Sequence, residues 1–512
     1  MLVKVKTLTV LGLVVCVVAG GVAPVEGASF YVATNGTAVG DGSIAHPWDL
    51  QTALRDNTKA ANSNSVVKPG DTIWLLGGVY RGGITSYLTG SEQMPIGVRQ
   101  YAGERATIQA TNCSTLGLLI QGRWANYWGF EVSNSDTNRT LARGTGVDVQ
   151  GPGTRLINLV VHDTGVGIDC WTEATNSEIH GCLIYNNGYQ GPEPDRGHGH
   201  GIYAQSSEPG HALGENIIFN QFGYGIHCYA EGGLLWGFRI EGNTSFNNGA
   251  ISRSGSRAGN LLVGGYTPVR DLNLLNNFGY HTPGAGGFNL QLGYGQIQKG
   301  LYSNRDVIAR SNYFGGGYVS VVYWTNLTLT DNTFALLAGN VRFDPGPGAE
   351  SHVWNHNRYF LSAASAYSYM GTNLTFANWK TATGFDADSE LASQHPTGVQ
   401  VFVRTNAYEP GRAHIIVYNW DIKDAVEVDV SGVMAAGTTY EVRNAQDFFG
   451  AVVLTGKYDG QPLRLPMTGL SVAKPIGFDT APSPTGPEFN VFMLLAQSGI
   501  TLGPPRNLRA PN

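Results

Sequence analysis

A group of proton-transferring and charged side chains stands out in the middle of the sequence. The segment RGHGHGIY begins at Arg196 and ends at Tyr203, and it contains His198 and His200; Asp169 precedes it and His227 follows it. Imidazole, phenol and carboxylate groups are the side chains that exchange protons in general acid–base catalysis. A guanidinium neutralises a carboxylate through paired hydrogen bonds. These residue types together indicate proton transfer on an anionic substrate.

The position of these residues in a repeated motif predicts which of them face outward. The motif is a small residue followed by apolar, variable and apolar residues, and it occurs as GVDV at 146–149, GIDC at 167–170, GIYA at 201–204 and GIHC at 225–228. Side chains alternate across a strand, so the two apolar residues point inward and the variable residue points outward. Adjacent strands lie about 4.8 Å apart. The outward residues are therefore predicted to form one column, which consists of Asp148, Asp169, Tyr203 and His227.

The same alternation predicts a second outward column, two residues further along each strand. It consists of Gln150, Trp171, Gln205 and Tyr229. Aromatic rings stack on sugar faces and amides bind hydroxyl groups, so this column is predicted to bind substrate. A later copy of the motif, GFNL at 287–290, is expected to place Asn289 and Gln291 outward as well.

Apolar segments that end in Asn accompany the motif and predict the fold. They are LIYNNG at 183–188, IIFNQFG at 217–223, TSFNNG at 244–249 and NLLNNFG at 273–279. Such repeats are typical of a solenoid whose short strands pair in parallel from turn to turn. The Asn residues are expected at equivalent bends, where their amides hydrogen-bond along the axis. The register assumes that each interval between motifs adds one turn.

Composition narrows the class of protein. The chain has 512 residues, of which 14% are charged and 70 are glycine. This low charge excludes a coiled coil and a charged disordered chain. The formal net charge is −6, so no global basic field attracts nucleic acid.

Three segments resemble a known group of proteins. PGDTIWLLGGVYRGGI at 69–84, PIGVRQYAGERATI at 95–108 and GHGHGIYAQ at 197–205 resemble the right-handed parallel β-helix proteins of the pectate-lyase-like superfamily. The resemblance implies an all-β chain with a right-handed parallel β-helix over residues 28–389 and a polysaccharide substrate. The segment DLQTALRD at 49–56 is predicted to form a helix that caps the N-terminal end of the coil.

The two ends of the chain predict export and a second domain. Lys4 and Lys6 precede an apolar run at 8–19, and small residues follow, so residues 1–27 read as a signal peptide of a secreted protein. No later apolar run is long enough to span a membrane. Segments in which apolar and polar residues alternate predict a β-sandwich at 398–498, and a Pro-rich tail follows at 499–512. Cys170 and Cys228 share the inward phase on different turns, so no disulfide is expected between them.

The leading functional hypothesis is a lyase that cleaves a uronate-containing glycan by β-elimination in a groove on the coil. Tyr203 with His200 or His227 would act as base and acid, with Arg196 or a calcium ion neutralising the uronate and Asp169 beside them. The column itself carries no Lys or Arg, which departs from the pectate-lyase pattern.

Two alternatives use the same surface. A glycoside hydrolase would use Asp148 and Asp169 as its pair of carboxylates, with a third acid such as Asp195. A non-catalytic glycan-binding surface protein would need only the aromatic column. Calcium bound by Asp148, Asp169 and carbonyl groups is one candidate metal site. Zinc bound by His198 and His200 with His227 and Asp169 is the other.

Overall fold

The computed structural model describes residues 27–59, 65–192, 195–253, 258–294, 304–479 and 481–496. The predicted signal peptide, apart from Gly27, and the predicted Pro-rich tail lie outside these residues. The described chain is all-β, with three long sheets of almost entirely parallel strands and an antiparallel C-terminal region. None of its helices has the length and apolar character needed to cross a bilayer.

A typical turn of the coil contributes one strand to each of three sheets, and one turn contributes two short strands, Leu235–Trp236 and Arg239–Glu241, to sheet I. Sheet I contains Ser29–Val32, Thr72–Leu75, Ile96–Gln100, Ala125–Trp128, Arg155–Ile157, Glu178–His180, Ala212–Gly214, Leu235–Trp236, Arg239–Glu241, Val269–Leu275, Asn304–Arg310, Trp324–Thr330 and Val353–Asn355. Sheet II contains Gly78–Arg81, Ala106–Ala110, Glu131–Asn134, Val160–His162, Leu183–Tyr185, Ile217–Phe219, Thr244–Phe246, Phe278–Tyr280, Tyr313–Gly315, Thr333–Leu337, Arg358–Leu361 and Glu390–Ala392. Sheet III contains Ile84–Ser86, Leu118–Ile120, Val147–Val149, Ile168–Cys170, Ile202–Ala204, Ile226–Cys228, Leu261–Val263, Phe288–Leu292, Tyr318–Val322, Val341–Asp344, Tyr367–Tyr369 and Thr372–Leu374, of which the last pairs antiparallel.

The turns stack in the register that the motif predicts. Ile168 pairs with Ile202, and Ile202 pairs with Ile226, so the long intervals between motifs add no extra turn. All three side chains are 0% exposed in one continuous apolar interior. Cys170 and Cys228 both pair with Ala204, from opposite sides, and are therefore two strand spacings apart, roughly 9.6 Å. Both are free thiols, as expected.

Two ladders of buried amides run along the corners of the coil. At the corner between sheets I and II, each Asn side chain accepts hydrogen bonds from the backbone N–H and the amide of the preceding rung; the rungs are Asn216, Asn243, Asn277, Asn312, Asn332 and Asn357. At the corner between sheets II and III, a second ladder contains Asn187, Gln221, Asn248, Asn260 and Asn289. Amide stacking along the axis is thus confirmed.

The ladders correct two details of the sequence interpretation. The apolar residues of NLLNNFG end a strand of sheet I, so its Asn277 belongs to the first ladder. In the other three Asn-ending segments the apolar residues form strands of sheet II. Asn289 does not face outward, because it is 0% exposed and bonded to Asn260. Gln291, which is also predicted to face outward, does continue the outward column, because it pairs with Leu262.

Short helices stand near both ends of the coil. The N-terminal helix is Leu50–Ala53, shorter than predicted, and Asp49 caps it by accepting a hydrogen bond from the backbone N–H of Thr52 at 2.9 Å. Leu50 and Ala53 are buried in the interior of the coil, as a cap requires. The second helix, Phe376–Thr383, buries Trp379, and the last strand of the coil, Glu390–Ala392, lies just beyond residue 389. A 3-10 turn occupies Ala349–Ser351.

The C-terminal region forms two antiparallel layers, consistent with the predicted sandwich. One layer contains Val399–Thr405, Arg412–Asn419, Phe489–Ala496, Thr439–Asn444 and Val452–Lys457, and the other contains Ala425–Val428 and Leu463–Pro466. A 3-10 turn at Ala445–Asp447 follows one of these strands. The larger layer packs through Ile416, Tyr418 and Phe489 against Phe219 and Phe246 of sheet II. This module therefore packs on sheet II, and the shared apolar cluster contains no residue of sheet III.

We predict that Asn243→Ala destabilises the coil. Asn243 is 1% exposed, accepts from Asn216 and donates to Asn277 and to the carbonyl of Leu213. Each buried polar group left without a partner costs about 1–3 kcal/mol, so the unfolding free energy should fall by at least about 2 kcal/mol. Urea denaturation of the full chain measures this fall. Asn373→Ala, at an exposed position, is the control and should change stability by no more than about 0.5 kcal/mol. Equal stability of the two variants would contradict the role of the ladder.

Candidate functional site

The outer face of sheet III brings the predicted column together. Asp148 pairs with Asp169, Asp169 with Tyr203, and Tyr203 with His227, each on the adjacent turn. Leu262, which is 0% exposed, follows His227 in the same column. The polar part of the column therefore spans four consecutive turns and ends at an apolar residue.

The two carboxylates at one end of the column are held by hydrogen bonds from neighbouring side chains. The indole N–H of Trp171 donates to Oδ1 of Asp148 at 3.0 Å, and the Gln150 amide lies 3.4 Å from the same oxygen. The hydroxyl of Thr145 donates to Oδ2 of Asp169 at 2.7 Å. Trp171 and Gln150 of the second column thus position the first.

Burial raises the pKa of both carboxyl groups. Asp169 is 8% exposed, and burial raises its pKa to about 7, with a further increase from the charge of Asp148 and an opposing effect of the Thr145 hydrogen bond. Burial also raises the pKa of Asp148, against the hydrogen bonds from Trp171 and Gln150. Asp169 therefore exchanges a proton near neutral pH, which suits a general acid or base.

These donors do not suit calcium. A calcium ion takes six to eight oxygen ligands. Here N–H groups of Trp171 and Gln150 point at Oδ1 of Asp148, where a cation would have to sit, and Asp169 is bonded to Thr145. The arrangement favours a carboxyl pair that holds a proton over a pair that holds a cation.

Two histidines form a hydrogen-bonded pair at the other end of the column. Nδ1 of His227 lies 3.1 Å from Nε2 of His200, and Nδ1 of His200 accepts the backbone N–H of Tyr224 at 3.1 Å. Burial lowers the pKa of His200 to about 3 and that of His227 well below its usual value, and each is lowered further by the charge of Arg196. Both rings are therefore neutral. Because Nδ1 of His200 accepts, its proton lies on Nε2 and is donated to His227, which keeps its own proton on Nε2.

The backbone explains why His200 reaches this pair despite its inward phase. Gly199 has a φ of 94°, in the left-handed region that favours glycine. The chain bends there before it enters the strand Ile202–Ala204, and the His200 ring lies 4.2 Å from that of His227. His200 is therefore beside the outer column.

Aromatic rings enclose the histidine end. Tyr224 and Tyr229 stack near-parallel to His227 at 4.5 and 4.9 Å. Tyr229 also meets Tyr266 and Tyr294 edge-on, at 6.1 and 5.5 Å. This cluster extends the second column beyond the predicted residues.

Tyr203 lies between the two ends of the column. Its ring is 5.7 Å from Trp171 and 5.6 Å from His227, and its hydroxyl accepts the Gln205 amide at 3.0 Å. Burial raises the pKa of Tyr203, and the charge of Asp169 raises it further, so the phenol is protonated at neutral pH. It can therefore donate a proton.

His198 and His200, which are separated by one glycine in the sequence, contact different partners. Nε2 of His198 contacts Asp195 at 2.8 Å, and the His198 ring stacks on Tyr189 at 4.8 Å, away from His200. Arg196 is exposed on this loop. Across the described ranges no three or more His, Cys, Asp or Glu side chains are grouped to hold a metal ion, which does not support the zinc arrangement.

Sequence reasoning missed four contributors to the site: Thr145, Tyr224, Tyr266 and Tyr294. Thr145 and Tyr224 each come directly before the glycine that opens a motif, and this shared position is a sequence signal that could have identified them. Tyr266 and Tyr294 lie on connections beyond the strands, where alternation predicts nothing.

Comparison with known proteins supports the fold. Residues 30–260 match the family model of the Pel9A-like right-handed β-helix region, which confirms the predicted right-handed parallel β-helix and the pectate-lyase-like resemblance. No curated protein sequence matches this chain.

Three solved structures are similar in fold. The crystal structure of pectate lyase Pel9A is 19% identical, with a TM-score of 0.39 over 68% of this chain and 78% of its own. The alginate lyase from Paenibacillus sp. str. FPU-7 is 14% identical, with a TM-score of 0.39 over 67% and 99%. The GH136 lacto-N-biosidase from Eubacterium ramulus is 14% identical, with a TM-score of 0.40 over 72% and 67%. At these identities the likeness assigns no activity.

Proposed function

We propose that this protein is a secreted polysaccharide lyase that cleaves a uronate-containing glycan by β-elimination on the outer face of sheet III. The observation that carries the proposal is the position of Tyr203, a protonated phenol between a carboxyl group of pKa about 7 and a neutral histidine pair. Secretion rests on the pattern of residues 1–27.

The reaction would use the two ends of the column separately. The ionised Asp169 takes the proton from C5 of the uronate, and the electron pair forms the C4–C5 double bond. The C4–O bond breaks, and the Tyr203 hydroxyl protonates the leaving oxygen. Asp169 and Tyr203 occupy paired positions on adjacent turns, so the proton taken by Asp169 can return to the phenolate and reset the site.

The histidine end would bind the substrate and not remove its proton. Each imidazole uses Nδ1 as a hydrogen-bond acceptor, which leaves the Nε2–H of His227 as a donor to a sugar oxygen. The Arg196 guanidinium is close enough to influence both histidines and would neutralise the uronate carboxylate there. This division of roles follows from the hydrogen bonds, and it assigns the base to Asp169.

The second column would hold the sugar rings. Trp171 and Tyr229 stand on turns that flank Tyr203, and both are half-buried, so a ring face can stack on each. The amides of Gln150 and Gln205 would bind hydroxyl groups. The Pel9A-like β-helix match spans residues 30–260, which include both predicted columns.

A glycoside hydrolase is the second candidate, because Asp148 and Asp169 differ in environment on adjacent turns. In that reaction the protonated Asp169 would be the general acid, and Asp148 the nucleophile or base. The two reactions require opposite protonation states of Asp169.

We expect Tyr203→Phe to fold normally and to lose at least about 100-fold in turnover, because the substitution removes only the acid oxygen. The measurement is the ultraviolet absorbance of the unsaturated uronate product, with polygalacturonate and alginate as substrates. Tyr31→Phe, at a half-buried tyrosine on sheet I, is the matched control and should keep parental turnover. Full activity of Tyr203→Phe would rule out its role as the acid.

The pH dependence of kcat/KM separates the two reactions. If ionised Asp169 is the base, activity should rise as the pH increases through about 7; if protonated Asp169 is the acid, activity should fall over the same interval. Asp148→Asn removes a charge that raises the pKa of Asp169, so the change in activity near pH 7, which we call the Asp169 limb of the pH profile, should move to lower pH. If this limb of the pH profile stays at the same pH in Asp148→Asn, Asp169 is not the titrating group.

A further inference from the structure

A second cleft lies on sheet I, at the junction with the C-terminal module and on a different sheet from the proposed active site. On the outer face of sheet I, Trp74 pairs with Arg99 and Arg99 pairs with Trp128 on successive turns. The C-terminal module closes one side of the cleft. The volume is about 290 Å³, and the side chains that define this sheet I cleft are Trp74, Arg99, Tyr101, Trp128, Tyr408 and Arg412.

Arg99 lies in this cleft without a hydrogen-bonding partner. Its guanidinium is 3.7 Å from the centre of the Trp128 ring and 5.5 Å from that of Trp74. No hydrogen bond or ion pair to it occurs among the described residues. The nearby carboxylate of Glu409 is already bound by the Trp128 indole and by Arg412. Stacking on an indole leaves the N–H edge of a guanidinium available to a carboxylate.

A second buried donor at the cleft also lacks a partner. Arg412 is 8% exposed, and its Nη1 donates to Glu409 at 3.2 Å. Its Nε has no hydrogen-bond partner and is buried. This buried Nε is not reached from the open cleft, so the guanidinium available to a ligand is that of Arg99.

The remaining lining suits a sugar ring. Trp74 and Tyr101 meet edge to face at 6.0 Å, as do Trp128 and Tyr408 at 5.7 Å. All four rings are half-buried, so part of each faces the cleft. Aromatic rings beside a few fixed polar groups are typical of ligand pockets near this size, about 300 Å³.

We infer that the sheet I cleft is a non-catalytic binding site for an acidic saccharide. The sugar ring packs on the exposed parts of Trp74, Tyr101 and Tyr408, and its carboxylate pairs with Arg99. This site contains no carboxyl group free to exchange a proton, because Glu409 is held on two sides. It would keep the chain on an acidic glycan, independently of turnover on sheet III.

The test is calorimetric titration of the full chain, in the Tyr203→Phe background so that the ligand is not consumed. The probes are tetragalacturonate and tetramannuronate, with uncharged cellotetraose for comparison. We expect at least one acidic probe to bind, and Arg99→Gln to weaken that binding at least about tenfold. Arg239→Gln, at an exposed arginine on sheet I outside the cleft, should bind as the parent does.

Arg99→Lys provides a second variant that keeps the charge and loses the paired N–H groups, and it should weaken binding as well. In the chain with Tyr203 intact, Arg99→Gln should leave turnover of a short substrate within about twofold, which separates this site from the proposed active site. Parental affinity of both Arg99 variants, equal binding of cellotetraose, or no binding of either acidic probe would overturn the inference.

Discussion

The whole structure depends on exact stacking of one turn of the coil on the next. Parallel strands fix a spacing of about 4.8 Å between turns, and the two amide ladders fix which residue stands above which. Each rung hydrogen-bonds to the next through side chain and backbone, as Asn243 does with Asn277. A slip of one residue would break every rung and turn the apolar residues outward. Backbone pairing thus keeps Asp148, Asp169, Tyr203 and His227 in one column although the chain between them varies in length, and the ladder that begins at Asn187 supports the register of the later turns.

The same stacking creates the chemistry of the column. The spacing between turns is fixed, so the paired carboxyl groups of Asp148 and Asp169 lie on adjacent turns. Each carboxyl group is partly removed from water. Burial and like charge hold the proton on Asp169 up to about neutral pH, while burial beside Arg196 keeps His200 and His227 neutral. A short run of sheet therefore contains a weak acid, a phenol and two neutral imidazoles. The C-terminal module packs on sheet II and not on this face.

The repeat and the resemblance to β-helix proteins predict the fold, and strand alternation predicts the outward column, because Ile168, Ile202 and Ile226 mark the inward phase. Alternation failed at GFNL, where Asn289 joins the corner ladder and the residue that pairs with Leu262 is Gln291. It also could not predict that His200 joins His227, since this depends on the bend at Gly199, or that Trp171 bonds to Asp148 on the preceding turn. The sheet I cleft was beyond sequence reasoning, because Arg99 and Arg412 are far apart in the chain and meet only when the module packs on the coil.

The central claim is that the column abstracts a proton from carbon and forms a double bond. It is tested most directly by comparing turnover of a uronate oligosaccharide carrying deuterium at C5 with turnover of the same oligosaccharide carrying hydrogen. The account predicts an unsaturated product that forms more slowly from the deuterated substrate under conditions where chemistry limits the rate. Cleavage that yields new reducing ends without an unsaturated product, at equal rates for the two substrates, would contradict it.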